Sequence, residues 1–255
     1  MFANDKEYYG DRKYLTTSSL KMLRKSVKKF NIWMAGLISE EPSDALQQGS
    51  ALHALVLENK KIFVGYEGRR AGAEYKKFLD DNNDEMFVFT MKDEKLIHDM
   101  YRSLYECNES FELLFDPSNE SANEIPMTAE LFGIPMKGKA DRVLYNATLP
   151  ISNVLVGSFG VDLKTTGGDL DEFARSARFY DYDMQAYVYS QIFGLDGFVF
   201  VVVSKKWPYE VGIFECSDEF IASGEAKAKQ AINKYIENFV ESKYNPNKAS
   251  YVTRL

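Results

Sequence analysis

Two aspartates and a lysine in the second half of the chain have the types and spacing of a site that cleaves phosphodiester bonds. Asp141 lies in GKADRV, and Asp162 and Lys164 lie in VDLKTT. Because residues i and i+2 of a strand point to one face, Asp162 and Lys164 project together, and an adjacent strand can bring Asp141 beside them. Carboxylates, with the Leu163 carbonyl as a further ligand, suit one or two hard divalent ions that activate water, and an ammonium can orient that water.

An Asp-x-Lys pair alone predicts little, since most such pairs are polar residues on an exposed edge strand. This pair belongs to a larger set of motifs, which in chain order are Gly49-x-x-x-His53, Gly138-x-x-Asp141, Asp162-x-Lys164-Thr165-Thr166 and Gln185-x-x-x-Tyr189. Taken singly, His53 would be a core histidine and the Gln185 and Tyr189 pair ordinary helix surface. Because that pair is four residues apart, both side chains share one helix face and can reach the same site.

The elements that position these residues follow from hydrophobic spacing. Helices are predicted over 16–38, 43–58, which carries His53, 169–193 and 217–243, with shorter helical patterns over 73–81 and 93–115. Strands are predicted over 127–134, 136–146 and 152–166 as a meander, over 197–204 as a buried strand and over 207–215 as its hairpin partner, with a β-like run at 86–90 and a polar loop at 119–126. The order of these helices and strands predicts a fold of the α/β (α+β) class with a mixed sheet.

Composition limits the domain organisation, the location and the kind of partner. The chain has 255 residues, 45% of them hydrophobic and 27% charged, which predicts one folded domain over 1–255: a mostly helical part at 1–118, and a sheet core with the site and a closing helix at 119–255. No segment reads as a targeting signal or a membrane anchor, and two cysteines are too few for a disulfide framework, so a cytoplasmic location is expected. The net charge of −7 argues against a nucleic-acid partner, although basic residues gather in KMLRKSVKK and GRRAGAEYKK.

Together the motifs resemble the RecB-like and RecE-like branch of the PD-(D/E)XK nuclease superfamily, including phage recombination exonucleases of the exonuclease VIII type. The resemblance runs from SSLKML at 18–23 through GSALHALVLE, GRRAGAEYKKFL, KGKADRV and VDLKTT to YDMQAYVY at 182–189. It implies a restriction-endonuclease-like α-β-β-β-α-β core, with a central mixed sheet flanked by helices and an N-terminal helical addition.

The resemblance also implies roles for single residues. Asp141 and Asp162 would bind Mg²⁺, or Mn²⁺ in its place, and Lys164 would orient or deprotonate the attacking water. His53 would lie beside the metal from its helix, and Gln185 would support the site.

Weaker candidates lie elsewhere. The first turn of the helix that starts near residue 16 could receive a DNA phosphate, although capping explains its serines equally well, and a basic pair beside a glycine is usually a solvated turn. The residues concerned are Ser18, Ser19, Lys21, Lys25, Arg69 and Arg70. Glu130 could be a further ligand, and His98 is interpreted as structural.

The implied activity is a metal-dependent exonuclease that hydrolyses linear duplex DNA from its ends, 5′ to 3′, in phage-type recombination. A single-strand annealing protein as partner, a homo-oligomeric ring and a bacterial or phage-infected cytoplasm follow from the same resemblance. Alternatives are a structure-specific or nicking endonuclease on the same core and a non-catalytic DNA-binding module. A calcium-binding or carbohydrate-active protein is disfavoured, because no calcium-loop pattern is present and Lys164 would have no function there.

Overall fold

The computed structural model describes residues 5–37, 43–82, 87–149 and 156–246. In these ranges the α-helices are α1 (Asp5–Gly10), α2 (Thr17–Lys25), α3 (Val27–Met34), α4 (Asp44–Leu57), α5 (Ala73–Asp80), α6 (Met91–Glu106), α7 (Asn108–Leu114), α8 (Leu170–Ser176), α9 (Tyr182–Phe193) and α10 (Asp218–Tyr235), with a π-helical turn at Ile236–Val240. The strands are β1 (Phe63–Tyr66), β2 (Phe87–Thr90), β3 (Ser121–Leu131), β4 (Ile134–Ala147), β5 (Gly157–Thr166), β6 (Gly197–Ser204) and β7 (Val211–Glu215). None of these helices is long and apolar enough to cross a membrane.

A five-stranded mixed sheet carries the site. Its order is β3-β4-β5-β6-β7, in which only β5 and β6 run parallel. The connection from β5 to β6 passes through α8 and α9, as parallel neighbours require a crossover. This confirms the predicted α+β class, the antiparallel meander and the buried strand with its hairpin partner. Residues 38, 86 and 152–155, also predicted to belong to elements, lie outside the described residues.

Strand β6 explains why helices cover both faces of the sheet. Its side chains are apolar at every position from 198 to 203, so neither face can be left to water. Val199, Val201 and Val203 pack with the buried residues of α4 and α6 on one face. Phe198, Phe200 and Val202 pack on the other face, against α8 and α9.

Three helices predicted as continuous are interrupted. The pattern predicted over 93–115 is divided at Cys107, whose extended backbone separates α6 from α7. The predicted helix at 16–38 breaks at Ser26, whose extended backbone ends α2 and whose hydroxyl caps α3 by accepting a hydrogen bond from the Lys29 N–H at 3.1 Å. The predicted helix at 169–193 breaks before Asp181, which has the left-handed φ of 56°. Hydrophobic spacing alone misses such breaks, because the apolar residues keep their period on both sides.

The predicted loop at 119–126 is also wrong, since β3 begins at Ser121. This strand lies at the edge of the sheet, where polar residues and a proline are tolerated, so its first half carries no apolar alternation. Strand β1 was not predicted; it pairs in parallel with β2 as a separate two-stranded sheet.

Gly224 sets how closely α10 approaches α9. A Cβ atom at this position would lie 2.0 Å from the Asp183 carbonyl oxygen, which belongs to the backbone of α9 and cannot rotate away. The Asp183 carboxylate accepts hydrogen bonds from Ser223 Oγ at 2.7 Å and Lys227 Nζ at 2.8 Å, so the contact is also tied by polar groups.

We therefore expect Gly224→Ala to lower the free energy of unfolding by about 2–3 kcal/mol, the cost of forcing extra volume into a packed interface. Urea denaturation measures it. Gly167→Ala is the matched control, because an added Cβ there meets no atom within 4 Å. Equal midpoints for the two variants would contradict the close helix contact.

Candidate active site

The catalytic candidates meet where β4 and β5 separate. Backbone pairing of the two strands reaches Arg142 and Val161. Beyond this point a side chain replaces the backbone acceptor, since Asp141 Oδ2 accepts a hydrogen bond from the Leu163 N–H at 3.0 Å. The gap between the strands is thus filled by the Asp141 carboxylate, close to Asp162 on β5.

Asp162 is held from two sides. It is 1% exposed, and its Oδ1 accepts a hydrogen bond from Gln185 Nε2 on α9 at 2.5 Å. Its Oδ2 forms an ion pair with the Lys164 ammonium, yet accepts no hydrogen bond of ordinary geometry within the described part of the chain. Lys164 Nζ in turn lies 5.4 Å from the centre of the Tyr182 ring, so an aromatic face limits its movement.

A second group of side chains adjoins Asp141. His53 Nε2 is 2.6 Å from Asp141 Oδ2, and His53 Nδ1 is 3.3 Å from Glu124 Oε1. The other Glu124 oxygen is 2.6 Å from the Lys139 ammonium. One ligand atom from each of His53, Glu124 and Asp141 lies within 4.8 Å of the others. Side chains from α4, β3 and β4 therefore converge on one point.

Glu124 reaches this point with an unusual backbone. Its φ is 54°, in the left-handed region that residues other than glycine rarely occupy. Backbone strain of this kind is concentrated at functional sites, where the surrounding structure holds it in place.

Neighbouring charges decide the ionisation of the cluster. Burial and the Asp141 carboxylate raise the pKa of Asp162. Burial opposes the ammonium of Lys164, but Asp162 and Asp141 outweigh it and raise the pKa of Lys164. Burial would raise the pKa of Asp141, but His53 outweighs it and the pKa is lowered. Burial would lower the pKa of His53, but Asp141 and Glu124 outweigh it and raise the pKa to about 10. Lys164 is thus an ammonium, better suited to orienting a water than to deprotonating it.

Two cavities open from the cluster. The first cavity, of about 490 Å³, lies along α4 and β5 and is lined by His53, Asp162 and Leu163 among others. The second cavity, of about 500 Å³, lies between α1, the start of α2 and α9. Both cavities are bordered by Asp141 and Lys164, so each gives access to the Asp141 carboxylate, whereas Asp162 borders only the first.

The N-terminal segment forms one wall of the second cavity. The Lys137 ammonium donates hydrogen bonds to the carbonyl oxygens of Tyr8 and Asp11, and its Nζ lies 4.7 Å from the centre of the Tyr8 ring. Lys137 is only 2% exposed, so this tie from β4 to the segment is buried. Tyr9, which is 68% exposed, borders both cavities.

The remaining predicted residues divide into two groups. Tyr189, Ser18 and Lys21 line the second cavity, where burial raises the pKa of Tyr189 well above its usual value. Four others border neither cavity: Ser19, Lys25, Arg69 and Arg70. The Ser19 hydroxyl is used in the cap of α2, because it accepts from the Thr16 N–H and donates to the Thr16 carbonyl, both at 2.8 Å.

Sequence reasoning missed Glu124. It proposed Glu130 on the same strand, but Glu130 is exposed and borders neither cavity. The signal for Glu124 was its register, since Asn123 pairs with Arg142 and Ile125 with Ala140, which sets Glu124 opposite Asp141. That register was hidden by the loop predicted at 119–126. His98 contacts the Phe63 ring at 5.4 Å, consistent with a structural role.

The fold and the residues Asp141, Asp162 and Lys164 at its opened strands define a domain of the PD-(D/E)XK nuclease superfamily. A family model described as "PDDEXK-like domain of unknown function (DUF3799)" matches residues 16–251. The chain belongs to this family, and the predicted superfamily is confirmed.

One solved structure agrees on the fold. A protein from Eubacterium rectale described as a "Putative exonuclease" is similar with a TM-score of 0.64 and 16% identity, over 93% of this chain and 86% of that one. The restriction-endonuclease-like fold is thereby confirmed. The structure of SSO0001 is similar at a TM-score of 0.41 and 14% identity, over 89% of this chain and 81% of that one. No curated protein sequence matches the chain significantly.

Proposed function

We propose that the protein is a Mg²⁺-dependent deoxyribonuclease of the RecB-like and RecE-like branch, an exonuclease that degrades linear duplex DNA from its ends. The observation that carries the proposal is the cluster of Asp141, Asp162 and Lys164 at the point where β4 and β5 separate. Every group that metal-assisted hydrolysis of a phosphodiester requires from the protein is present there. The 5′-to-3′ direction and a role in recombination are part of the proposal and rest on the sequence motifs.

The donor set fits a divalent cation. Asp162 Oδ2 is buried without a normal hydrogen bond. On the neighbouring strand, Asp141 forms a group of three converging ligand atoms with His53 and Glu124. Carboxylate oxygens suit Mg²⁺ or Mn²⁺, and a histidine nitrogen becomes a ligand once its proton leaves. The residues that would hold the ion are Asp141, Asp162, the Leu163 carbonyl, His53 and Glu124. When bound, a divalent cation lowers the pKa of water and neutralises charge that builds on the phosphate.

The protein's own groups orient the reactants. Lys164, kept as an ammonium by two carboxylates, donates hydrogen bonds to the attacking water and holds it against the phosphorus. Gln185 fixes the orientation of the Asp162 carboxylate through its hydrogen bond. His53 and Lys139 hold Glu124 and Asp141 in place before substrate arrives. The site is thus preorganised, which avoids reorganisation during the reaction.

Glu124→Gln should lower the affinity for Mn²⁺ by about ten- to a hundredfold, because it removes a carboxylate that either binds the ion or orients His53. Isothermal titration calorimetry measures this directly. Glu130→Gln makes the same chemical change on the same strand, outside both cavities, and should leave the affinity unchanged. An unchanged affinity in Glu124→Gln would remove Glu124 from the metal site.

Digestion of linear and covalently closed circular duplex DNA tests the function. Purified protein is incubated with Mg²⁺ and, separately, with EDTA. Loss of linear DNA alone, dependent on Mg²⁺, is the expected result, and labels on either strand end then read the direction. Cutting of the circle would identify an endonuclease instead. Binding of DNA without cleavage under any divalent metal would identify a binding module and overturn the proposal.

A further inference from the structure

Two aromatic side chains lie exposed to solvent on the turn between α8 and α9. Within the described part of the chain, Phe179 is 76% exposed and Tyr180 is 51% exposed. Their rings contact each other edge to face, with centroids 5.1 Å apart. Two adjoining exposed rings form one apolar patch, and contiguous patches of this kind mark binding surfaces more often than single exposed residues do.

The turn that carries these rings is anchored to the core. The Arg178 carbonyl accepts a hydrogen bond from Lys227 Nζ on α10. Asp181, which is 5% exposed, forms ion pairs with Arg24 on α2 and, at 3.1 Å, with Lys227. Because these contacts fix the backbone on both sides of the two rings, little conformational freedom is lost when the rings bind a ligand.

The exposed pair continues a series of rings that starts at the active site. Lys164 Nζ lies 5.4 Å from the centre of the Tyr182 ring, and the centres of the Tyr182 and Tyr180 rings are 6.0 Å apart. A groove of about 580 Å³ is bordered by Thr166, two residues after Lys164 on β5, and by Tyr180. The exposed pair is thus connected to Lys164 through one intervening ring and lies beside the end of the strand that carries it.

Cationic side chains flank the pair, although the whole chain has a net charge of −7. Arg175 is exposed and borders the same groove as Tyr180. On the other side, Lys25 and Arg178 are exposed and border a cavity of about 300 Å³ together with Phe179. The two rings therefore lie between basic groups, which complement a negatively charged ligand.

The carboxylates that border the groove and this cavity are engaged within the protein. Asp181 is neutralised by the ion pairs with Arg24 and Lys227. Glu172 belongs to the capping box of α8, in which its carboxylate accepts a hydrogen bond from the Asp169 N–H at 3.3 Å. The cations that flank the rings therefore remain available to an anionic ligand.

Exposed rings between basic groups fit a nucleic-acid strand whose bases are unpaired. Aromatic faces stack on single bases, while cations pair with the phosphates that join them. Bases inside a duplex are already stacked on one another, so they offer no free face to these rings. An exonuclease that removes one strand of a duplex leaves the other strand unpaired, so the proposed reaction itself supplies such a ligand.

We infer that this surface binds a single-stranded segment of DNA next to the active site. Phe179 and Tyr180 stack on its bases. Arg175, Lys25 and Arg178 pair with its phosphates. The inference rests on the proposed function in taking DNA as the ligand, and it adds a place where unpaired DNA is held outside the two cavities of the active site.

Two fluorescein-labelled strands of equal length, an oligothymidylate and an abasic oligonucleotide, test the surface without catalysis when binding is measured by anisotropy in EDTA. Phe179→Ala and Tyr180→Ala should each raise Kd for oligothymidylate about tenfold, through loss of one stacked base. Neither variant should change Kd for the abasic strand, because that strand keeps its phosphates but has no base to stack. Both rings are exposed, so circular dichroism should show an intact fold.

Three further variants separate stacking from charge. Trp207→Ala removes an exposed ring from the turn between β6 and β7, and it should change neither Kd. Arg175→Gln should weaken binding of both strands alike and reduce the slope of log Kd against log salt by about 0.7. Arg102→Gln makes the same change at an exposed position of α6 and should leave both the Kd values and the slope unchanged.

Unchanged Kd values in both ring variants, with a wild type that binds and cleaves DNA, would overturn this surface and leave the nuclease standing. Equal weakening of both strands by the ring variants would also overturn it, since stacking requires bases. Dissociation of an oligomer in the ring variants with unchanged Kd values, seen by sedimentation velocity, would identify a protein interface instead. A wild type that binds oligothymidylate through the rings but cleaves no DNA would keep the surface and remove the proposed nuclease.

Discussion

Asp162→Asn is expected to reduce DNA cleavage by about a thousandfold or more while the protein stays folded. Asparagine keeps an oxygen for Gln185 Nε2 but loses the negative charge that a divalent cation requires. The fold should tolerate the change, because Asp162 is buried beside a like charge and Lys164 keeps Asp141 as its anionic neighbour.

Initial rates on linear duplex DNA at saturating Mg²⁺ measure the loss, and circular dichroism checks the fold. Asp171→Asn is the control, since it makes the same change at an exposed position of α8 outside both cavities. Cleavage that survives in a pure preparation of Asp162→Asn would exclude this carboxylate from the reaction.

Lys164→Met is expected to lower kcat by about a hundred- to a thousandfold, with little effect on metal affinity. The ammonium acts on the water and the phosphate, whereas the carboxylates bind the ion, so the two readouts should separate. Methionine keeps most of the side-chain volume against Tyr182 and Phe200, which limits any loss of packing.

Single-turnover cleavage and calorimetry with Mn²⁺ provide the two readouts. If metal affinity collapsed together with the rate, Lys164 would be a support of the metal site rather than a group that orients the water. If neither changed, the ion pair with Asp162 would be purely structural.

The sheet and the central residues of the site could be predicted because their signals are local. Asp162 and Lys164 share a strand face by spacing alone, and the apolar run at 197–204 could only be a buried strand. Three features could not be predicted: the break at Ser26, the left-handed backbone of Asp181 and the edge strand that carries Glu124. The break at Ser26 depends on a local side-chain cap, which hydrophobic period does not reveal. Asp181 and the edge strand depend on tertiary contacts. The roles of the site residues remain predictions until the variants are measured.

The buried tie between Lys137 and the N-terminal segment bears on what a fragment cut at the family boundary would lose. The family match begins at residue 16, yet Tyr8, Tyr9 and Asp11 help to enclose the second cavity. The shared core thus supplies the carboxylates, while a stretch outside it closes one side of the cleft. A fragment trimmed to the family boundary would keep Asp141 and Asp162 but expose the cleft to solvent and leave the Lys137 ammonium without its two carbonyl acceptors.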